Sequence, residues 1–360
     1  MIRVSIDLPE GYRYRFKPVV DNRQAFLSRE VQVGYGLPDP DLRILHQDTA
    51  IEEAAGSPTG RLRTPVIVYE RIDGAVVINS LPVREMMAHP DVKLWLKRNR
   101  YRDFELNNQP LLVGNLHYKT LNDLARFQVG PTAGEPPVKR VTAEMAAKIR
   151  PLPVAYIDRF AALRAMQIDW SASRPIDVSF AGMVDYEVRG VDFWDEAYDK
   201  AQAATSTDFG SVIIRHRREA VRRMVELRDL RTVVGLNRAV GPGLYEPIMV
   251  QTSIALSPWG LGEYSYRDYE AIFAGSVLVK PHSDHIETFA PDLYQAHKYY
   301  VPCAPDFSDL DEVVRSIMAD RAQAIELARR ARGDLLAANT PERVADYFLG
   351  LFREALGREN

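Results

Sequence analysis

The sequence predicts an α/β protein that is divided into two domains. The chain has 360 residues, which is more than a single hydrophobic core usually holds. From about residue 174 onward, short apolar segments alternate with segments of helical periodicity. Strands that are apolar on both faces and separated by helices are typical of a parallel sheet covered by helices on both sides.

The N-terminal third contains apolar segments that predict strands, separated by turns with proline and glycine. The first eight residues, MIRVSIDL, alternate between polar and apolar side chains, which favours a strand. Further predicted strands are RTPVIVYE (Arg63–Glu70), DVKLWLKRN (Asp91–Asn99) and QPLLVGNLHY (Gln109–Tyr118). A proline-rich stretch at Val129–Arg140 interrupts this pattern and predicts an exposed loop.

The C-terminal half alternates regularly between predicted strands and predicted helices. The strands are Pro175–Gly182, Arg231–Leu236, Thr252–Ser257 and Ser276–Lys280, and the helices are Ile213–Asp229, Tyr245–Gln251 and Tyr266–Ala274. Two helices are predicted to close the chain, one at Leu310–Met318 and one that begins at Pro341 with Thr340 as its N-cap. The stretch DWSASRP predicts a linker, so we place one domain at residues 1–172 and a second at 173–340. We expect the last helix, within residues 341–360, to pack back on the first domain.

The composition excludes several classes of protein. A net charge of −3 provides no global basic field for nucleic acid or for an anionic membrane. Cys303 is the single cysteine, so an internal disulfide and a cysteine-based metal site are excluded, and a cytoplasmic location is expected. No signal pattern opens the sequence, and no apolar run reaches the roughly 18 residues of a membrane span. The glycine fingerprint of nicotinamide dinucleotide folds, the nucleophile elbow and the Walker loop do not occur in the sequence either.

A candidate ligand site lies in the stretch SPWGLGEYSYRDYEAIFAGSVLVKP (Ser257–Pro281). It follows one predicted strand and precedes the next, and open parallel sheets bind ligands beyond the carboxyl ends of their strands. Ser265, with Asp268 three residues later, predicts a capping box at the start of a helix. Gly260 and Gly262 lie beside that helix start, where outward-pointing backbone amides would suit an anion such as phosphate.

The side chains of the same stretch suit a nucleoside diphosphate. Arg267, in the first turn of the predicted helix, could clamp phosphate oxygens with its forked guanidinium group. Glu270 follows at i+3, so it faces the same cleft and could accept hydrogen bonds from a ribose diol. Trp259, Tyr264 and Tyr266 could stack on a base. The alternative is that Arg267 and Glu270 form only a surface ion pair of little energetic value.

The segment YRDYEAIFAGSVLVKP resembles the donor-binding segment of GT-B-type glycosyltransferases, both of the group 1 type and of the exostosin-like type. These families show a Glu-Ala-x-x-x-Gly pattern before an apolar strand, and here the pattern is Glu270, Ala271 and Gly275. The likeness extends over about residues 174–355. It implies two Rossmann-like domains facing a cleft, in which the C-terminal domain binds a nucleotide sugar and the N-terminal domain binds the acceptor. By this resemblance Glu270 would hold the ribose and Arg267 the diphosphate.

This sequence departs from the family pattern at one position. Many retaining members carry a second acidic residue eight positions before the glutamate, whereas that position here is Gly262 and the nearest acid is Glu263. The resemblance therefore leaves open which residue contacts the donor sugar, and whether transfer retains or inverts the anomeric configuration.

Further basic residues are candidates for the diphosphate. Arg217, flanked by Arg215 and Arg218, lies near the start of the predicted helix that follows the first strand of the second domain. Lys280 and His282 follow the strand after the glutamate motif. Most of the arginines in that helix are expected to form a solvated face.

An inverting transfer also needs a general base, which should come from the N-terminal domain across the cleft. Asp73, in YERIDGAV, follows a predicted strand and is the predicted catalytic base. Glu70, Asp48 and Glu30 are the alternatives, and each could equally be a surface carboxylate or a helix cap.

The predicted activity is transfer of a glycosyl group from a nucleoside diphosphate sugar to an acceptor hydroxyl, in surface polysaccharide biosynthesis. The nucleotide sugar is a co-substrate, and no cofactor or metal is expected, because Asp39-x-Asp41 lies between prolines that predict a turn rather than a metal site. The expected partners are the nucleotide sugar and a glycan or lipid-linked acceptor, with which peripheral membrane association is compatible. The alternatives are a nucleotide-sugar epimerase of the same fold and a non-catalytic binding protein.

Overall fold

The computed structural model describes residues 1–70, 74–78, 80–109, 137–182, 209–236, 242–260 and 262–358. Asp73, Leu261 and most of the predicted strand at Gln109–Tyr118 lie outside the described residues. The described strands are β1 (Ile2–Asp7), β2 (Val31–Tyr35), β3 (Leu42–His46), β4 (Val66–Tyr69), β5 (Val92–Lys97), β6 (Asn99–Tyr101), β7 (Ile149–Pro151), β8 (Ile176–Gly182), β9 (Thr232–Leu236), β10 (Thr252–Leu256), β11 (Val277–Pro281), β12 (Ile286–Thr288) and β13 (Val301–Cys303).

Helices of very different length connect these strands. They are α1 (Glu10–Arg13), α2 (Lys17–Asp21), α3 (Arg23–Leu27), α4 (Gln47–Gly56), α5 (Leu81–Ala88), α6 (Ala143–Ala147), α7 (Ala161–Ala165), α8 (Phe209–Glu226), α9 (Pro242–Gln251), α10 (Tyr266–Phe273), α11 (Leu310–Ala319), α12 (Arg321–Ala338) and α13 (Pro341–Ala355). Short 3₁₀ turns cover Phe104–Asn108 and Asp158–Phe160.

A first parallel sheet contains, among the described residues, six strands in the order β2-β1-β3-β4-β5-β7. Val4 of β1 lies between Val33 of β2 and Leu42 of β3. The inner strands are apolar on both faces, and all of β4 is buried, as expected for a sheet covered by helices on both sides. Because the strands are parallel, the residues that end them, such as His46 and Tyr69, lie along one edge of the sheet.

A second parallel sheet contains, in the described part of the chain, five strands in the order β13-β11-β10-β8-β9. Ile254 of β10 lies between Val178 of β8 and Val277 of β11. The reversal of strand order beside β8 and β10 is the kind of position at which open α/β sheets form a ligand crevice. The fold class predicted from the sequence, an α/β protein with two Rossmann-like domains, is confirmed by the two parallel sheets.

Contacts between the two sheets come from a short ribbon and from the last helix. Strands β6 and β12 form an antiparallel ribbon in which Tyr101 pairs with Ile286. Because β6 follows β5 of the first sheet and β12 follows β11 of the second, this ribbon connects the two halves of the chain. On α13, the Phe348 ring lies 6.0 Å from that of Phe16, and the Tyr347 hydroxyl donates to the Pro151 carbonyl at 2.6 Å. The last helix therefore packs on the elements of the first sheet, while the domain limits at 172 and 340 stay predictions.

The elements of the C-terminal half agree with the sequence-based prediction except near the end of the chain. The expectation that two helices close the chain is wrong, because α12 lies between the two predicted ones. This 18-residue helix is strongly charged and buries only Leu327, Ala328, Ala331 and Leu335. A stripe of two leucines and two alanines gives only a weak periodic signal of a helix that packs on a core.

Candidate functional site

A cleft of about 290 Å³ opens at the carboxyl end of the second sheet. Strand β8 reaches it with Gly182, and the segment that follows β10 leads into α10 along its wall. Its lining residues come from β8, α8, α9, the loop before α10, α10 itself and the 3₁₀ turn after β7: Arg159, Ala181, Gly182, Arg217, Tyr245, Gly260, Tyr264, Ser265, Tyr266, Arg267 and Glu270.

The structure brings seven of the predicted site residues to this one cleft, namely Arg217, Gly260, Tyr264, Ser265, Tyr266, Arg267 and Glu270. The sequence analysis missed three functional candidates, Arg159, Gly182 and Tyr245. Gly182 has a local signal, because it ends a strand where a ligand would approach. Arg159 has none, since it lies 111 residues from Glu270, the residue that it contacts.

The helix α10 begins with the capping box that the sequence predicts. The Ser265 hydroxyl accepts from the Arg267 amide at 3.2 Å, and the Asp268 carboxylate accepts from the Ser265 amide at 3.1 Å. The helix ends at Phe273, and Gly275, two residues later, has a φ of +75° that favours glycine, so the glycine of the family-like pattern has a structural role in terminating the helix. These two ends fix the positions of Arg267 and Glu270 along the cleft.

Lys280 does not reach the cleft, which corrects its prediction as a donor-binding residue. Its side chain is fully buried, and its Nζ lies 3.3 Å from Oδ2 of Asp268. The Asp268 carboxylate also accepts from the Ser257 hydroxyl and the Tyr294 hydroxyl, both at 2.5 Å. Burial lowers the pKa of Lys280, and the negative charge of Asp268 opposes that shift. Lys280 therefore stabilises the buried carboxylate that caps α10.

The backbone amides around the glycines are not directed outward as predicted. The Gly260 amide donates to the Gly262 carbonyl at 3.1 Å, and the Arg267 amide is held by the capping serine. Gly262 itself is buried and does not line the cleft. An anion in this cleft would consequently be held by guanidinium groups rather than by these amides.

Arg267 provides a buried cation with an unused donor. Its guanidinium group lies 4.7 Å from the centre of the Phe180 ring, and its Nε donates to the Ala181 carbonyl at 2.8 Å. Among the residues that the structure describes, no acceptor lies within hydrogen-bond distance of its Nη1, and the residue is 8% exposed. An unsatisfied buried donor is costly, so this atom suits an anionic oxygen of a ligand. Gly182 leaves room for the guanidinium, because a Cβ there would lie 2.9 Å from the Arg267 Cζ.

Glu270 faces the same cleft and is held by two partners. Its Oε1 accepts from Nε of Arg159 at 2.9 Å, and its Oε2 accepts from the Tyr245 hydroxyl at 2.6 Å. Burial raises the pKa of Tyr245, and the neighbouring Glu270 carboxylate raises it further. For Arg159, burial alone would lower the pKa, but the Glu270 charge outweighs burial and raises it. The pair orients both oxygens of Glu270.

Two of the three aromatic candidates are core residues, which corrects the prediction that they stack on a base. Trp259 is fully buried, lies 5.4 Å from the His216 ring in a stacked arrangement, and donates from Nε1 to the Ser283 hydroxyl. Tyr264 is also buried and packs 5.5 Å from the Tyr269 ring. Tyr266 is partly exposed on the cleft, with the Arg159 guanidinium 4.9 Å from its ring centre.

Arg217 and His282 differ in their relation to the cleft. Arg217 lines it, is 6% exposed, and donates from Nε to the Trp259 carbonyl at 3.0 Å. His282 is exposed outside the cleft lining, with its backbone amide bonded to the Cys303 carbonyl, so the structure does not support its predicted role in the donor site. Arg215 and Arg218 also lie outside the lining residues.

The alternative carboxylates for a general base lie in very different positions. Glu70 is fully buried, where it accepts from Trp95 Nε1 at 2.5 Å and pairs with Lys97, so it cannot meet an acceptor hydroxyl. Glu30 precedes β2 and lies at the edge of the first sheet opposite to the carboxyl ends of the strands. Asp48 begins α4 directly after β3, at the carboxyl edge, and its side chain is 51% exposed.

The structure also bears on metals and membranes. Asp39 and Asp41 lie in the connection between β2 and β3, where Asp39 has a φ of +45° and Asp41 accepts from the Arg3 amide, so the predicted turn is confirmed. In the described ranges, no group of three or more His, Cys, Asp or Glu side chains is placed to hold a metal ion. No helix within the same ranges has the length and apolarity to cross a membrane.

The fold is α/β with two Rossmann-like sheets, and a cleft lined by three arginines opens at the carboxyl end of the second sheet. No protein-family model matches the chain, and no curated protein matches it. Solved structures with a similar fold include HepE of Anabaena in complex with UDP (11% identity over 98% of this chain and 99% of that one, TM-score 0.48). Sucrose-phosphate synthase of Thermosynechococcus elongatus (11% identity, 99% and 100% coverage, TM-score 0.47) and S. aureus MnaA with UDP (8% identity, 99% and 97% coverage, TM-score 0.45) are also similar. The assignment of the fold rests on the two parallel sheets.

Proposed function

We propose that the chain is a glycosyltransferase that moves a sugar from a nucleoside diphosphate sugar to an acceptor hydroxyl. One observation carries the proposal: the unused, buried donor of Arg267 and the oriented carboxylate of Glu270 face the same cleft at the carboxyl end of a parallel sheet. A diphosphate and a ribose, joined as in a nucleotide sugar, require such a donor and such an acceptor side by side.

In this proposal the diphosphate is bound by Arg267 and Arg217. Cleavage of the bond between the sugar and the diphosphate leaves negative charge on the departing phosphate oxygen. A fixed guanidinium in a partly desolvated cleft stabilises that charge more strongly than water does, because it needs no reorganisation when the bond breaks. Metal independence belongs to the same proposal, since two arginine side chains provide the compensating positive charge.

Glu270 would accept hydrogen bonds from the ribose hydroxyls. A carboxylate offers about four lone-pair positions. Nε and Nη2 of Arg159 approach Oε1 at 2.9 and 2.8 Å, and Tyr245 donates to Oε2 at 2.6 Å. The open position on Oε2 can accept from a ribose hydroxyl without displacing either partner. Arg159 and Tyr245 thus position the carboxylate, whereas the Tyr266 ring is already covered by the guanidinium groups of Arg159 and Arg98.

The general base would come from the first domain. Asp73 remains the proposed base, and Asp48 is the alternative because its exposed carboxylate lies at the carboxyl edge of the first sheet. Replacing each aspartate by asparagine identifies which one is the base. Only loss of the base should reduce kcat strongly while donor affinity is retained. A role in surface polysaccharide synthesis, with a cytoplasmic location, is part of the proposal that rests on the family resemblance alone.

The proposal is tested by thermal-shift measurements with UDP, GDP, CMP and their sugars, because a ligand that binds the native state raises the melting temperature. The nucleotide with the largest shift is then titrated into E270A, R267A and the control E219A. Glu219 is a glutamate on α8 that pairs with Arg222 and Arg223 on the surface. We expect about ten- to a hundredfold weaker binding in the first two variants and unchanged binding in the control.

Three outcomes would contradict the proposed function. If no nucleotide shifts the melting temperature, the cleft does not bind a nucleotide sugar. If the donor alone is converted to a second sugar nucleotide, the protein is an epimerase instead. Binding without turnover against a panel of acceptors would identify a non-catalytic binding protein.

A further inference from the structure

A cluster of tyrosines and one arginine lies at the carboxyl edge of the first sheet, next to the donor cleft. Tyr14 and Arg15 belong to the loop that follows α1, and Tyr69 ends β4. The Tyr14 hydroxyl lies 3.3 Å from the hydroxyl of Tyr266, which lines the donor cleft. The cluster of Tyr14, Arg15, Tyr69 and Tyr266 therefore borders the donor cleft on the side of the first domain.

Arg15 is a cation whose partners are all phenolic. Its Nε donates to the Tyr14 hydroxyl at 2.9 Å, its Nη1 donates to the Tyr69 hydroxyl, and its guanidinium lies 5.4 Å from the centre of the Tyr69 ring. Across the described part of the chain, no carboxylate lies within ion-pair distance of Arg15, and its Nη2 makes no hydrogen bond. By contrast, Arg43 on the same sheet is paired with both Asp7 and Glu53.

The positive charge of Arg15 is thus oriented by neutral groups and has no carboxylate partner in the described part of the chain. A partly buried guanidinium without a counter-charge favours an anionic ligand, and its free nitrogen can complete a forked contact with a phosphate or carboxylate group. The Tyr14 ring, which is 44% exposed and has its centre 5.2 Å from the guanidinium, adds apolar surface beside that charge, a combination typical of sites that orient a small polar ligand.

We propose that this cluster is the acceptor subsite and that the acceptor is an anionic saccharide, a sugar bearing a phosphate ester or a carboxylate. That this sugar is the acceptor rests on the proposed function, whereas binding of an anionic sugar rests on the cluster itself. Arg15 binds the anionic group, and the exposed ring of Tyr14 lies beside the sugar. The hydroxyl contact between Tyr14 and Tyr266 places the acceptor beside the donor cleft.

The test is direct titration of the full-length protein with glucose 6-phosphate, glucuronate and glucose at one fixed ionic strength, with no nucleotide present. We expect at least one of the anionic sugars to bind more tightly than glucose, and the tighter of the two identifies phosphate or carboxylate as the recognised group. R15Q should weaken binding of that sugar by about ten- to a hundredfold. R15K, which keeps the charge but loses the fork, should bind with intermediate affinity and controls for any effect of R15Q on folding.

Two control variants keep the result specific. R13Q removes the same charge two residues away, where Arg13 is exposed and lies 5.2 Å from the Tyr35 ring centre, and should change the affinity by less than about twofold. R267A should also leave anionic-sugar binding unchanged, because Arg267 belongs to the donor cleft. An equal loss in R13Q or R267A, or equal affinity for glucose and both anionic sugars, would overturn the proposal. Failure of the nucleotide titrations would instead contradict the proposed function, because this titration contains no nucleotide.

Discussion

Replacing Gly182 by alanine should weaken nucleotide binding without unfolding the protein. Built on the backbone of Gly182, a Cβ would lie 2.9 Å from Cζ of Arg267 and still closer to Nη2, whereas ordinary van der Waals contacts of a Cβ begin near 3.4 Å. The conflict involves the end of a flexible side chain, so the guanidinium moves and the strand stays in place. Displacement would break the alignment of the Nε donor with the Ala181 carbonyl and of Nη1 with the ligand.

The size of the effect follows from the contact that is lost. A hydrogen bond to a charged group contributes about 1.5–3 kcal/mol, so the dissociation constant of the best nucleotide should rise about ten- to a hundredfold in G182A. The free energy of unfolding should change by less than about 1 kcal/mol, because the lower entropy of the unfolded chain offsets part of the steric cost. Isothermal titration gives the first quantity, and urea denaturation gives the second.

A double-mutant cycle makes the test of G182A decisive. If the alanine acts only by displacing Arg267, G182A should have no further effect on affinity in the R267A background. An equal loss of affinity in both backgrounds would refute the reasoning. G260A provides a parallel case, because a Cβ there would lie 2.5 Å from Nη2 of Arg217, and it should depend on Arg217 in the same way.

Three further predictions concern stability. Phe352 is fully buried where α13 meets Phe26. F352A should therefore lower the free energy of unfolding, measured by guanidinium denaturation, by about 3–5 kcal/mol. A loss under about 1 kcal/mol would mean that the helix does not pack there. K97M leaves the buried Glu70 carboxylate without its ion-pair partner and should lower the free energy of unfolding by about 3–5 kcal/mol. The double variant K97M/E70Q should lose clearly less stability. Equal losses would contradict an ion-pair role. G333A, at an exposed position of α12 with open space around it, should raise the free energy of unfolding by about 0.5–1 kcal/mol, and a lower value would indicate an unrecognised contact.

The second sheet could be predicted from the sequence because its strands are apolar on both faces and its helices begin with recognisable caps. Ser265 with Asp268, and Thr340 before Pro341, behave as local hydrogen-bonding rules require, and no distant residue is needed to predict them. Helix α12 escaped prediction because its core-facing stripe contains alanines, which carry little apolar signal in a charged segment.

The site could be predicted only as far as local rules reach. The positions of Arg267 and Glu270 follow from one capped helix, but the burial of Trp259 depends on His216, which lies 43 residues earlier. An aromatic residue in a glycine-rich loop has the same sequence signature whether it stacks on a ligand or fills the core. In the same way, the partner of Glu270 is supplied by Arg159, from a turn before the second domain, and no periodicity marks it.

The charge balance of the cleft explains why a diphosphate suits it better than a single phosphate or a neutral sugar. Among the described lining residues, three are arginines, Arg159, Arg217 and Arg267, and Glu270 is the one carboxylate, so basic side chains outnumber acidic ones. Asp268, on the same helix, does not reduce this excess, because its carboxylate points into the core and is matched by Lys280. A nucleoside diphosphate sugar carries about two negative charges at neutral pH, one on each phosphate, which matches a predominantly basic lining. In the proposed transfer, breaking the bond between the sugar and the diphosphate leaves a further negative charge on the diphosphate, and the same arginines would stabilise that charge as it develops.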